Sequence, residues 1–90
     1  MEDVMQDVQT EFFDNGFHPD YNQLSDDFTE ICCGIKEKGY RVSDQLIGYF
    51  LSRDPSYITK NNNARKLILK YDVDTLLDFL IQNYLKGKEI

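Results

Sequence analysis

The chain has 90 residues, of which 41% are hydrophobic and 13% aromatic, and its formal net charge is −6. This length fits one small domain, and the apolar content is sufficient for a hydrophobic core, which excludes wholesale disorder. No run approaches the roughly 18 apolar residues that a membrane-spanning helix needs. The chain starts with neither a basic nor an apolar stretch, so we expect no secretory signal. Two adjacent cysteines without a disulfide framework predict a cytosolic protein.

The first 19 residues differ from the remainder of the chain. They carry five carboxylates and no Lys or Arg, and they end in turn signals at Asn15-Gly16 and His18-Pro19. We therefore predict two zones, a flexible acidic N-terminal arm over residues 1–19 and a helical domain over residues 20–90. The few apolar residues of the arm leave open whether it forms a weak helical stripe or docks as an extended segment.

The clearest periodic element covers about residues 22–38. Its apolar residues Leu24, Phe28, Ile31 and Ile35 recur at steps of four, three and four, which predicts an amphipathic helix. Gly39 supplies a stop at its end.

Three further helices are predicted. Ser43 is the expected N-cap of the second, which must end before Pro55 because proline disfavours helix at the residue preceding it. A loop over residues 53–61 follows, and a third helix begins near Asn62, with Ala64, Leu67 and Ile68 facing inward. Asp72 caps a fourth helix that ends at Gly87. The residues expected to form the buried face of the second helix are Leu46, Ile47, Phe50 and Leu51.

No segment alternates with period two for long enough to demand a sheet, so the predicted fold is all-α, a compact bundle of four to five short helices. The last helix carries more apolar surface than a chain of this size easily covers. Such a wide stripe often buries against a second subunit, and we therefore predict a homodimer. Its apolar residues are Val73, Leu76, Leu77, Leu80, Ile81, Tyr84 and Leu85.

Residues with catalytic or metal-binding chemistry are few. Cys32 and Cys33 are adjacent on the first predicted helix, and His18 is the only histidine, so a metal site lacks ligands at suitable spacing. Packing is the favoured role of the cysteines, with redox or metal function as the alternative. No nucleophile–base pair and no glycine-rich phosphate loop can be assembled. We predict a protein that is not an enzyme and that needs neither metal nor cofactor.

A local basic cluster interrupts the acidic sequence. Lys60, Arg65, Lys66 and Lys70 fall in a stretch without any acidic residue. Two short helices with a basic second member suggest a helix-turn-helix-like nucleic-acid-binding regulator as an alternative function, although the connecting loop is long for that motif and the overall acidity opposes phosphate binding. The cluster could equally bind a phosphorylated Ser or Thr, or form a solvated helix face.

Several unlike motifs between Glu37 and Lys86 together resemble the IreB family of small regulatory phosphoproteins. They are Glu37-Lys38-Gly39-Tyr40, Gln45-Leu46-Ile47-Gly48-Tyr49, Asp54-Pro55-Ser56-Tyr57-Ile58, Asn63-Ala64-Arg65 and Tyr84-Leu85-Lys86. The resemblance implies a cytoplasmic, helical, homodimeric protein without catalytic activity. It also implies a transmembrane Ser/Thr protein kinase and its phosphatase as partners, and a role in the response to cell-wall stress and cephalosporin-type antibiotics.

The resemblance further implies phosphorylation in the arm, at two threonines three residues apart of which the second is soon followed by Phe. Thr10, with Phe12 and Phe13 after it, matches the second position, and Asp7 occupies the first. Our hypothesis is that a phosphate on Thr10 changes where the arm sits, against Arg41, Arg53 or Arg65, and thereby changes partner binding. A constitutive assembly module that is independent of phosphorylation is the competing interpretation.

The loop after the second helix and the start of the third helix hold the remaining candidate residues. They either contact a partner or shape the loop as caps and turns, and the sequence favours the second role. They are Asp54, Pro55, Tyr57, Asn63 and Arg65.

Overall fold

A computed structural model describes residues 20–90, and within this range all regular secondary structure is helical, with no β-strand. The predicted all-α class is therefore confirmed. The predicted arm and its candidate phosphorylation site Thr10 lie outside the described residues. The helices are α1 (Tyr21–Glu37), α2 (Val42–Ser52), α3 (Ala64–Ile68) and α4 (Val73–Gly87), and two 3₁₀ turns, Pro55–Tyr57 and Asn61–Asn63, lie between α2 and α3.

Helix α1 forms where the apolar periodicity predicts it. Asp20 is its N-cap, and the Asp20 carboxylate accepts hydrogen bonds from the backbone N–H groups of Asn22 and Gln23 at 3.0 and 3.2 Å. The chain leaves the helix through Gly39, whose φ of +84° is a conformation that glycine adopts without strain. The predicted apolar stripe faces the core: Leu24, Ile31 and Ile35 are fully buried, and Phe28 is partly buried.

Helix α2 differs from the prediction in its start and in its buried face. It begins at Val42 with Arg41 as N-cap, so the expected capping role of Ser43 is wrong. Leu46 and Tyr49 are buried, whereas Ile47 is 54% and Leu51 is 83% exposed. Apolar residues surround much of this helix, and periodicity alone does not determine which edge of a wide apolar face meets the core.

The segment that follows the loop packs along α1 in the opposite direction. The Asn61 side chain bonds to residues near the C-terminal end of α1, whereas Lys70 and Tyr71 reach Asp27 near the N-terminal end. Ala64 and Ile68 are buried between them as predicted. α3 is thereby fixed against α1 at both ends.

Helix α4 closes the core with an aromatic contact. The Phe79 ring packs edge-on against the rings of Tyr21 and Phe28, each at a centroid distance of 5.8 Å, and Val73 and Leu76 are also buried. Sequence reasoning left Phe79 out of the buried face. The opposite side of α4 carries the exposed residues Leu77, Ile81 and Tyr84. Among the described helices, none is both long and apolar enough to cross a membrane.

Candidate functional site

The loop after α2 is held by its own side chains. The Asp54 carboxylate accepts a hydrogen bond from the Ser56 N–H at 3.0 Å, which caps the first 3₁₀ turn, and Pro55 occupies the first position of that turn. The Tyr57 carbonyl accepts a hydrogen bond from Gln45 Nε2 at 2.8 Å. Asp54 and Pro55 thus set the loop conformation, and Tyr57 links the loop to α2.

The Tyr57 ring lies directly over Gly48 of α2. A Cβ atom at position 48 would stand 2.4 Å from the ring, closer than any real Cβ contact, so this packing requires a glycine. Tyr57 nevertheless remains 42% exposed, which leaves one edge of its ring available at the surface. Sequence reasoning did not assign a role to Gly48, although a glycine inside a predicted helix is a signal of close approach.

The second half of the loop returns the chain to α3. Arg65 Nε donates to the Ile58 carbonyl at 2.8 Å, and the Arg65 N–H donates to the Thr59 carbonyl at 3.0 Å. Asn62 and Asn63 have φ values of 57° and 58°, in the left-handed region that asparagine tolerates better than most residues. Asn63 and Arg65 therefore both contribute to the shape of this turn.

Two asparagine side chains attach the turn to α1. Asn61 Nδ2 donates to the Gly34 carbonyl at 3.0 Å and to Glu37 Oε1 at 2.9 Å. Asn62 Nδ2 donates to the Glu30 carbonyl at 3.1 Å and to its side chain at 2.8 Å. Sequence reasoning missed these contacts, because polar residues in a loop do not reveal which distant helix they reach.

Next to this turn the surface forms a groove with a volume of ≈ 400 Å³, which we call the basic groove. Among residues 20–90, neither of its two exposed lysines nor its arginine forms an ion pair. The hydrogen bonds from Ser56, and to a smaller extent the positive charge of Arg65, lower the pKa of the Asp54 carboxyl. The groove is thus a site of net positive charge on an otherwise acidic protein. Its lining residues are Lys60, Asn63, Arg65, Lys66 and Leu69.

Lys70, the fourth member of the sequence cluster, belongs to a different site. Its Nζ donates to the buried Asp27 carboxylate at 2.8 Å, and the same carboxylate accepts from Tyr71 Oη at 2.5 Å and from Gln23 Nε2 at 3.0 Å. The Lys70 and Tyr71 hydrogen bonds lower the pKa of Asp27. Burial and the Asp27 carboxylate raise the pKa of Tyr71 to about 12. Both shifts lead away from neutrality, so this cluster is suited to holding α3 on α1 and unsuited to proton transfer.

Two further arginines were candidates for contact with a phosphate. Arg41 lies 3.8 Å from Asp44, and Arg53 lies 3.8 Å from Asp74, and all four side chains are largely exposed. Each arginine is therefore already beside a carboxylate that would repel a second anion. Compared with them, the lysines of the basic groove are better placed to receive one.

The cysteines and carboxylates do not assemble a metal centre in the described part of the chain. Residues 20–90 contain no group of three or more His, Cys, Asp or Glu side chains that could hold an ion. Cys32 is partly buried and packs against the core, and burial raises the pKa of its thiol, which disfavours the reactive thiolate. Cys33 is exposed.

These features define a small all-α protein that carries a groove with basic side chains next to the turn before α3. The family model of the IreB regulatory phosphoprotein matches residues 8–86, and the chain therefore belongs to the IreB family of regulatory phosphoproteins. The resemblance inferred from the sequence motifs is confirmed. The match also begins much earlier than those motifs, and it includes Thr10 but not Asp7.

Proposed function

We propose that this protein is a cytoplasmic, non-enzymatic regulator that a transmembrane Ser/Thr kinase phosphorylates at Thr10 and that the cognate phosphatase resets. In this proposal the phosphorylated and unmodified forms engage a downstream partner differently and so adjust the response to cell-wall stress and cell-wall-directed antibiotics. The observation that carries the proposal is the match to a regulatory phosphoprotein family over residues 8–86, a range that contains Thr10.

The structural setting of the other threonines supports Thr10 as the phosphate acceptor. A kinase must bring the attacking hydroxyl in line with the γ-phosphate of ATP, which requires an accessible side chain. Thr75 is buried, with 2% of its surface exposed. The Thr29 hydroxyl donates to the Ser25 carbonyl within α1, and Thr59 Oγ1 accepts from the Asn61 N–H in the turn before α3. Thr75 is thus inaccessible, whereas a phosphate on Thr29 or Thr59 would alter a hydrogen bond of α1 or of the turn before α3.

Two exposed apolar stripes support the proposal of a homodimer. On α4, Ile81 and Tyr84 are 56% and 63% exposed, and Leu77 lies one turn earlier on the same face. On α2, Ile47 and Leu51 form a second stripe, and the Arg53–Asp74 contact places the end of α2 beside the start of α4. Clustered exposed apolar residues on a helix commonly mark a subunit interface.

The helix-turn-helix alternative receives less support from the geometry. The connection between α2 and α3 covers residues 53–63, far more than the three or four residues of that motif, and α3 has only five residues. A helix this short offers little length for insertion into a major groove. We therefore keep regulation through phosphorylation as the proposed function.

The direct test of the site is a phosphorylation assay of the full chain with the cognate kinase and ATP. We expect one phosphate, on Thr10, and no incorporation in Thr10→Ala. Thr29→Ala serves as the matched control, because it removes a threonine from the described domain and should leave incorporation unchanged. Undiminished phosphothreonine in Thr10→Ala would overturn the site assignment.

A further inference from the structure

We propose that the acidic segment 1–19 binds in the basic groove of its own subunit, and that phosphate on Thr10 strengthens this contact. In addition to the kinase reaction, the basic groove would then be the surface that binds the phosphorylated segment. Its first part concerns the unmodified chain and stands independently of any kinase. Its second part rests on the proposed function.

Charge complementarity selects this occupant. The segment carries five carboxylates and no Lys or Arg, whereas residues 60–71 carry four basic residues and no carboxylate. In the described range, Lys60 and Lys66 have no ion-pair partner. By contrast, Lys70 is bound to Asp27, and Arg41 and Arg53 lie beside carboxylates. The acidic segment and this basic surface thus carry opposite charge.

The segment joins the domain at the end of α1 that the residues after α3 reach. Asp20 precedes the first turn of α1. Lys70 and Tyr71, which follow α3, bond to Asp27 in the second turn of α1. Leu69, which lines the groove, directly precedes them in the chain. The C-terminal end of α3 therefore lies near the start of α1, where the segment joins the domain.

The available chain length is sufficient for Thr10 to reach the whole groove. The ten residues from Thr10 to Asp20 extend to at most about 33–36 Å. Residues 60–69 span only about 15 Å if they follow a helical rise. A segment that starts at Asp20 is thus long enough to place Thr10 near Lys66 or Lys60.

The walls of the groove are mostly apolar, and its basic side chains supply the donors that a phosphate requires. A phosphothreonine carries about −1.5 to −2 charges and three acceptor oxygens. Lys60, Arg65 and Lys66 supply exposed or partly exposed donors, and the Arg65 Nε already bonded to Ile58 leaves the terminal guanidinium nitrogens for an anion. The apolar Leu69, which is 53% exposed, offers a contact for an apolar residue of the segment such as Phe12 or Phe13.

The test places a nitroxide label on the segment and observes the amide resonances of the full chain. Gln9→Cys carries the label in a Cys32→Ala, Cys33→Ser background, which keeps Thr10 and every carboxylate. We expect selective broadening of the amides of residues 60–69, relieved by high salt because the contact is electrostatic. Mixing labelled chains with isotope-enriched unlabelled chains separates contacts within a subunit from contacts between subunits.

Two charge variants give the proposal its control. Lys60→Gln combined with Lys66→Gln should reduce the docked population about fivefold, as expected for the loss of two exposed ion pairs. Lys36→Gln combined with Lys38→Gln removes the same charge from the end of α1 and should leave the broadening unchanged. Equal effects of both pairs, broadening centred elsewhere, or broadening that arises only between subunits would overturn the proposal.

Two further measurements distinguish docking of the segment from the proposed phosphorylation and from nucleic-acid binding. Phosphorylation of Thr10 should increase the broadening at the groove, and failure of the kinase to modify Thr10 would remove the proposed function while the docking of the unmodified segment remained measurable. A short DNA duplex should not shift the groove amides at moderate salt. Displacement of the segment by DNA would instead assign the groove to nucleic acid and contradict the proposal.

Discussion

Gly34 in α1 lies against the backbone carbonyl of Asn61, so closely that a Cβ atom at position 34 would stand 2.6 Å from the Asn61 oxygen. The same turn donates from Asn61 Nδ2 to the Gly34 carbonyl. The turn that leads into the basic groove is therefore seated on the one position of α1 where a side chain is missing. Its position depends on this glycine.

Substitution of Gly34 by alanine should weaken the packing of this turn against α1. The added methyl group meets backbone rather than a flexible side chain, so we expect a loss of about 1–3 kcal/mol in the free energy of unfolding, despite the better helix propensity of alanine. Denaturant unfolding measures this change. Gly87→Ala is the matched control, because nothing lies within 4 Å of its Cβ position, and it should be neutral or slightly stabilising. Equal stability of the two variants would contradict the close approach.

Replacement of Asp27 by asparagine should destabilise the domain by about 1–3 kcal/mol, since it removes a buried charge that accepts hydrogen bonds from Lys70 and Tyr71. Because the folded-state pKa of Asp27 is lowered, its contribution is present above the unfolded pKa of about 4 and is lost as pH falls through the folded pKa. The free energy of unfolding should thus decrease less between neutral and acidic pH in Asp27→Asn than in the wild type. Asp26→Asn, on the exposed side of α1, should behave as wild type.

At alkaline pH, the free energy of unfolding should depend on the ionisation of two tyrosines. Burial together with neighbouring carboxylates raises the pKa values of Tyr21 and Tyr71 to about 12, with Asp78 as the partner of Tyr21 and Asp27 as that of Tyr71. A raised pKa stabilises the protonated fold below the unfolded value of about 10, and this stabilisation is lost as pH rises through 12. An ultraviolet tyrosinate titration should show a late component that disappears in Tyr21→Phe combined with Tyr71→Phe. Persistence of that component in the double variant would contradict the assignment.

Periodicity predicted the helices well, but it did not predict how they meet. The stripe from Leu24 to Ile35 identified α1 because a single narrow apolar face leaves one way to bury it. On α2 the apolar residues are more widely distributed, and Ile47 and Leu51 were wrongly placed in the core. The Tyr57 ring packs over Gly48 of the same helix, a contact between a loop and a helix that no local pattern predicts.

The candidate site was predictable in composition and unpredictable in arrangement. The acid-free stretch from Lys60 to Tyr71 marked the basic surface, yet only the structure separates Lys70, bound to Asp27, from the lysines of the groove. Asp54 and Pro55 were recognisable as loop-shaping residues because capping and proline effects are local. The attachment of Asn61 and Asn62 to α1 is long-range in sequence, and it left no local signal.

The exposed stripe of α4 yields a prediction about assembly. Ile81→Glu should shift the protein from dimer to monomer in sedimentation or light scattering at micromolar concentration, because a buried unpaired charge in an interface is costly. Ile90→Glu provides the control, since that residue is 84% exposed at the end of the chain. A wild-type protein that is monomeric under these conditions would contradict the proposed homodimer.

Mass spectrometry of the full chain isolated from cells is the direct test of regulation through phosphorylation at Thr10. Chains from cells with the cognate kinase should carry phosphate on Thr10, with higher occupancy under cell-wall stress, and chains from kinase-deficient cells should carry none. Phosphate confined to another residue, or occupancy of Thr10 that is the same with and without the kinase, would contradict the account.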